Sequence, residues 1–562
     1  MSNLRRGANV YDPTGCVRRP AVLLLALLCT TAVFAQRASE TIEISIINVD
    51  VHVTDKNGKP VRGLTANDFE IREDGRPQPI TNFSEYASAP VQAAPAVTAA
   101  PTAASAAPVA TPPTPRRTIV FFLEPVTMPA PRAKEVFDSI RSLMHSSVRP
   151  GDRASIVTWQ NGIRVRQQLT DQLPALDQMM TVIEKEFVDT PNVDVGEVIR
   201  HQQQKTDYVN AEFDSAVGAT GAAASTVKSD ALPAAQRQMR DIKQKMLAVR
   251  ALMESISGIE GPKVLVMATK RLGSFAGAEY FGGEVPRTFR QELDTKKLRD
   301  SLTSVANAKG ITVYPFFLEG LGTTSNVDAA HRDQGAMARD STILMNETTA
   351  LQEIASETGG LTGFGAKDVS NIVSRIGEGL DTYYSLGYRA RPTGRDSAHR
   401  IVVTTKNPDY VVRSRRAAVE VSDASRMQDR VVANLFQNVD GATIKFDVVI
   451  RPLEAAGNNR WTTTLVIRIP IANLMTLKDA KGESGSFSVF VGTGSSLGSL
   501  GDVAQRTQAF SIAEADLERA RASHYTYEFA LEVDEVMDRV SVGVLDDVSK
   551  EFGLKRFALP KR

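Results

Sequence analysis

Cysteine is nearly missing from this sequence. Of 562 residues only Cys16 and Cys29 are cysteines, and both precede residue 36. The chain beyond residue 35 can form no disulfide, offer no thiolate to a metal and place no thiol nucleophile, a composition suited to an oxidising compartment. Histidine is sparse as well. His52, His145, His201, His331, His399 and His524 are scattered, with no two at metal-ligand spacing. Charge of one sign is also lacking. Lys and Arg number 66 against 65 Asp and Glu, a formal net charge of +1, so bulk electrostatics recruit neither nucleic acid nor an anionic membrane. Beyond residue 35, no apolar run reaches the roughly 20 residues that a membrane-spanning helix needs.

The N-terminus has its own pattern. Arg5, Arg6, Arg18 and Arg19 precede an apolar run from Ala21 to Leu28, and Val33-Phe34-Ala35 puts small residues at cleavage spacing before Gln36. Basic, apolar and small segments in that order predict a secretory signal peptide over 1–35. The expected location is therefore the periplasm, the cell envelope or the extracellular space. The mature chain is expected to carry no transmembrane segment.

Residues 36–87 read as a small β domain. Ile42, Ile44 and Ile46 alternate, the alternation slips at Ile47-Asn48, and Val49, Val51 and Val53 resume it, which predicts a bulge. Asn57-Gly58 and Asp74-Gly75 are hairpin signals, and Thr65 with Asp68 fits a capped helical turn. Residues 88–115, almost all Ala, Pro, Thr, Ser and Val, predict an extended linker. From 116 to 391 strands alternate with helices, the signature of a doubly wound, mainly parallel sheet. Polar insertions near 190–235 and 319–346 interrupt it. Helices nearly vanish over 392–562, where "TIKFDVVI", "WTTTLVIRIPI", "FSVFV", "YTYEFALEV" and "RVSVGVL" predict a hairpin followed by an antiparallel β-sandwich. The expected fold class is multidomain α/β plus β.

Several stretches share one resemblance: "VDVHVTDKNGKPVRGLTANDFEIREDGRPQPITNF", "RPGDRASIVTW", "GPKVLVMAT", "ANAKGITVYPFF", "LQEIASETGGLTGF" and "LDTYYSLGYRA". Together they resemble the von Willebrand factor type A (VWA) domain, in particular a bacterial secreted subgroup labelled "VWFA-related". The resemblance implies a Rossmann-like sheet with a metal-dependent adhesion site on its upper edge. There the first strand ends in Asp-x-Ser-x-Ser, and a loop Thr and a later Asp complete the ligands.

This chain departs from that pattern at each position. Glu124 stands for the first Asp, Val126 and Met128 for the serines, and Thr127 falls one place off. Lys270 stands where the last Asp is expected, and Thr190 is the candidate loop threonine. Too few oxygens remain for Mg²⁺ or Ca²⁺, so no cofactor is expected, with either ion as the alternative. Glu124 and Lys270 are expected to pair across the sheet edge.

Other motifs are weaker. "GSSLG", Gly494 to Gly498, has the Gly-x-Ser-x-Gly spacing of a nucleophile elbow, but it sits among antiparallel patterns and lacks a following helix. Asp546 and Asp547 lack the spacing of a calcium loop and read as a turn. Tyr383, Tyr384 and Tyr388 read as strand aromatics, and "GGLTGFG" as a helix-to-strand connection. The expectation is a non-enzymatic, metal-independent module that binds a protein partner through the degenerate edge or the long insertions beside it. The alternatives are a serine hydrolase using Ser496 and a structural envelope component.

Overall fold

The computed structural model describes residues 46–87, 117–124, 130–159, 162–189, 222–269, 272–281, 283–317, 334–362, 375–380, 382–390, 398–437, 439, 441–457, 460–479, 482–495 and 500–559. All lie within the compact unit Ile44–Arg562. The expected signal peptide and linker lie outside the described residues. No helix among the described residues is long and apolar enough to cross a membrane.

The described chain opens with four strands, β1 (Ile46–Thr54), β2 (Phe69–Glu73), β3 (Arg76–Gln78) and β4 (Ile80–Ala87). The central layer comes next. Strands β5 (Thr118–Leu123), β6 (Arg153–Trp159), β7 (Ile163–Thr170), β8 (Lys263–Thr269) and β9 (Ile311–Phe317) form one sheet in the order β7-β6-β5-β8-β9. All pairs are parallel except the edge strand β7, which runs antiparallel to β6. Helices α1 (Ala130–Ser147) and α2 (Leu173–Asp189) cover one face. The other is covered by α3 (Ala222–Ser257), α4 (Lys296–Ala308) and α5 (Gln334–Thr358).

Every residue of β5 is buried because both of its faces are covered. Ile119, Phe121 and Leu123 join Val136, Phe137, Leu176 and Met180 in one core. Val120 and Phe122 join Ile242, Met246, Val249, Leu302 and Ile354 in the other. The polar stretches near 190–235 and 319–346 are partly helical: α3 starts at Ala222 and α5 at Gln334.

The N-terminal strands do not form a domain by themselves. Strands β10 (Thr382–Arg389), β11 (Ala398–Thr405), β12 (Val411–Ser414) and β13 (Ala417–Val419) complete two four-stranded sheets, β12-β1-β10-β4 and β13-β11-β2-β3. Their shared core holds Val49, Val51, Ile71, Tyr384, Leu386 and Ile401. Both sequence boundaries, at 87 and at 391, are thus crossed by strand pairing. The reason is size: a lone hairpin cannot bury a face, so each short strand pair recruits partners more than 320 residues away.

The expected bulge at Ile47-Asn48 is absent, since β1 pairs with β10 without a shift from Ile46 to Val51. The irregularity lies across the sheet instead, at Gly387/Tyr388 opposite β4. The turn signals hold. Gly58 and Gly75 adopt φ of 83° and 81°, and the Thr65 backbone N–H donates to the Asp68 carboxylate at 2.7 Å.

Helices do not vanish after residue 391. Helix α6 (Asp423–Phe436) starts at Ser422, whose hydroxyl caps the Ser425 N–H at 3.1 Å. Its Met427 and Val431 pack against Phe490, Leu545 and Phe552 of the C-terminal domain. That domain has the expected antiparallel pattern. One sheet holds β14 (Asp447–Ile450), β15 (Glu454–Gly457), β16 (Arg460–Pro470) and β20 (His524–Asp534). The other holds β17 (Leu477–Asp479), β18 (Gly482–Gly494), β19 (Ala504–Ala513), β21 (Arg539–Asp546) and β22 (Phe552–Ala558). Leu465, Ile467, Phe529 and Leu531 face Phe487, Val489, Val540 and Val542 in its core.

Glycines set how closely α6 seats. A Cβ on Gly543 would lie 2.3 Å from the Met427 side chain, and one on Gly258 would lie 2.4 Å from the Arg430 backbone.

Candidate functional site

Strand β5 ends at the C-terminal edge of the parallel sheet, where open α/β folds place ligands. Glu124 is the first residue past the strand, and its backbone N–H still donates to Ala268 O of β8 at 2.9 Å. That bond directs the chain along the sheet and leaves the carboxylate beneath the edge, 2% exposed. A buried carboxylate is costly unless paired, and here both oxygens have partners. The Lys245 ammonium lies 2.9 Å from Oε1, and the Thr269 hydroxyl donates to Oε2 at 2.7 Å. Lys245 is itself 1% exposed.

Of the six edge positions singled out in the sequence, the structure places Glu124. Val126, Thr127, Met128, Thr190 and Lys270 lie outside the described residues. The described cationic partner of Glu124 is Lys245 of α3, and the expected pairing with Lys270 lies outside the described residues. A signal for Lys245 was present: Ile242, Lys245, Val249 and Ile256 share one stripe of α3, so this lysine interrupts an otherwise apolar helix face.

Mg²⁺ and Ca²⁺ need several oxygen donors around an open position, whereas among the described residues Glu124 faces an ammonium and Glu347 of the helix alongside accepts a backbone N–H at 2.6 Å. Among the described residues no group of three or more His, Cys, Asp or Glu is placed to hold a metal. Two neutral polar residues are also described there. The Thr158 hydroxyl at the end of β6 and both amide atoms of Gln238, two turns before Lys245 on α3, are buried without a hydrogen-bond partner.

No family model matches the chain, and no curated protein matches it. Solved structures do match in part. Proximal thread matrix protein 1 from the mussel byssus is 11% identical over 48% of this chain and 49% of its own, with a TM-score of 0.21. An aerotolerance-related membrane protein from Bacteroides fragilis is 10% identical over 47% of this chain and 98% of its own, at 0.22. The PilB minor pilin from Streptococcus sanguinis is 9% identical over 49% and 63%, at 0.23. The match thus spans less than two thirds of the mussel and streptococcal proteins, and scores this low carry no argument about function.

Past β8, the chain is fastened to α5. Glu347 accepts the Leu272 N–H at 2.6 Å, and Asn346 accepts the Phe275 N–H at 2.9 Å while donating to Phe275 O at 3.1 Å. A Cβ on Gly273 would fall 2.1 Å from the Asn346 amide, so the close approach requires glycine. The edge is therefore braced from α3 and from α5.

The described residues of the weaker motifs hold the following contacts. Gly494 bridges to Leu500 at the end of the β18–β19 hairpin, among antiparallel strands, and Ser496 lies outside the described residues. Asp546 accepts the N–H groups of Met475, Val548 and Ser549, at 2.5, 2.8 and 3.2 Å, which makes it a turn former. The Tyr384 hydroxyl donates to Val61 O at 2.9 Å and the Tyr388 hydroxyl to Glu73 at 2.9 Å, both within the N-terminal sandwich core. His145 pairs with Asp177 and His399 with Asp74, each at 2.8 Å and each remote from the sheet edge in sequence and partner.

Proposed function

We propose that this chain is an exported VWA-like protein that binds another protein at the C-terminal edge of its parallel sheet, without a metal bridge and without catalysis. The observation that carries this reading is the buried Lys245–Glu124 pair. In a metal-dependent edge, the acid after the first strand is an open ligand for a cation, which in turn reaches a carboxylate of the partner. Here the cationic charge is covalent: it belongs to α3. The three-layer arrangement, with β5 central and β7 antiparallel at the edge, supports the Rossmann-like part of the resemblance.

Recognition then falls to direct contacts around Val126, Thr127, Met128, Thr190 and Lys270, with Glu124 serving as an internal brace. The test is capture from envelope extract with the purified chain, in magnesium and in chelator. The reading expects the same specific partner under both conditions, and its loss with Lys270→Glu or Thr127→Lys. A partner captured only in magnesium would overturn it.

A further inference from the structure

A second site lies at the opposite end of the sheet. Where β8 and β9 begin, a cavity of about 600 Å³ opens between the parallel sheet, the N-terminal sandwich and α6. That volume lies within the range of small-molecule pockets. Its wall carries more cations than anions: Lys263, Lys309, Arg415, Arg426 and Arg430 against Asp50, Glu260 and Asp429.

Much of that charge is already internally satisfied. Lys309 is held by both carboxylate oxygens of Asp429, at 2.6 and 2.8 Å. Arg430 contacts Glu260 at 3.1 Å and lies 4.0 Å over the Phe552 ring. Two cations differ. The Lys263 ammonium has one weak contact, Gly261 O at 3.3 Å, and no carboxylate within ion-pair distance among the described residues. Arg415 gives its terminal nitrogens to the carbonyls of Asn48 and Asn307, while its buried Nε has no partner.

Two further buried polar atoms of lining residues have no hydrogen-bond partner among the described residues: Nδ1 of His52 and the hydroxyl of Tyr383, each residue 6% exposed. Unpaired buried polar groups are rare, and each calls for an explanation such as a ligand or bound water. The titration environment agrees. Burial pushes the Lys263 amine down to about 8, and it pushes the Asp50 carboxyl up despite Arg415 nearby. Displaced pKa values of this kind gather at binding sites.

We propose that this cavity binds a small anionic molecule, a carboxylate or phosphate compound, through Lys263 and Arg415. His52 and Tyr383 supply hydrogen-bonding groups on the same wall. Asp50 is the one acid there without an ion-pair partner among the described residues, and its ionised form opposes the ligand's charge. This site is independent of the sheet edge and of any protein partner bound there.

The test is calorimetric titration of the full chain with inorganic phosphate and, separately, with citrate, in chloride buffer. Saturable one-to-one binding of at least one is expected, and the stronger of the two identifies the ligand's anionic group. Lys263→Met should weaken it about tenfold or more, the usual loss when a charge-assisted contact is removed. Asp50→Asn should tighten it. If Lys263→Met fails to fold, the Asp50→Asn arm decides alone. Absence of saturable binding by the native chain, or affinity unchanged in Asp50→Asn, overturns the proposal.

Discussion

The ammonium of Lys245 and the carboxylate of Glu124 meet 2.9 Å apart beneath the lip of the parallel sheet, and neither side chain is more than 2% exposed. Helix and sheet are thereby tied at the C-terminal end of β5. Removing one partner strands the other charge in a buried setting. Glu124→Gln and Lys245→Met should each cost about 3–5 kcal/mol, and the double replacement should cost less than either single change. Urea unfolding of the three variants measures this cycle, and additive losses would contradict the pairing.

A second buried pair anchors the other end of β5. The Arg117 guanidinium donates to Asp152 at 2.6 and 3.0 Å, to Ser147 O at 2.8 Å and to Leu380 O at 2.6 Å. These bonds join β5, the end of α1 and the chain before β10. Lysine cannot reproduce that planar fork. Arg117→Lys should therefore destabilise the protein by about 2–4 kcal/mol, most of what a broken buried pair costs. Urea unfolding would show it, and a change within error of the native chain would refute the clamp.

His52 should make stability fall on acidification. Burial, with Arg413 close by, holds its imidazole down at about 3, from an ordinary value of 6.5. Between those pH values the unfolded chain binds a proton that the folded chain refuses. Stability therefore rises with pH across the window and is lost as pH falls from 6.5 towards 3. His52→Phe should flatten that slope by up to about 1.4 kcal/mol per pH unit. An unchanged slope in unfolding measurements from about pH 4 to 6.5 would show that His52 does not contribute.

Gly258 sets the contact between the turn after α3 and α6. A Cβ there would fall 2.4 Å from the Arg430 Cα and 2.5 Å from its backbone N. Backbone cannot yield as a flexible side chain does. Gly258→Ala should cost about 1–3 kcal/mol through overpacking. Thermal melts of the variant that match the native chain would show that the contact is not tight.

Much of this architecture can be read from residue patterns. The apolar run ending at Glu124 marks β5, and the spacing of Ile242, Met246, Val249 and Met253 marks α3. Pairing over long distances is harder to read. Nothing local in β1 announces that its neighbours are β10 and β12, because a strand's alternation specifies a face and not a partner. Helix α6 did carry its signals, the Ser422 cap and Met427, Val431 and Leu435 at helical spacing, but it is a single helix in a region of strand patterns, and its close seating depends on glycines of other elements. At the edge, the resemblance pointed to Lys270, the position of the family's last Asp, and so drew attention away from Lys245, a described partner of Glu124 that comes from a helix more than a hundred residues away. The lower cavity draws on residues between Ile46 and Arg430 and has no sequence signature at all.

The central claim is that the Lys245 ammonium stands in for the cation at Glu124. Isothermal titration of the native chain with Mg²⁺ and Ca²⁺, each taken to low millimolar concentration, tests it most directly, with Glu124→Gln as the reference. The account predicts no saturable heat from either ion. One-to-one binding that disappears in Glu124→Gln would contradict it.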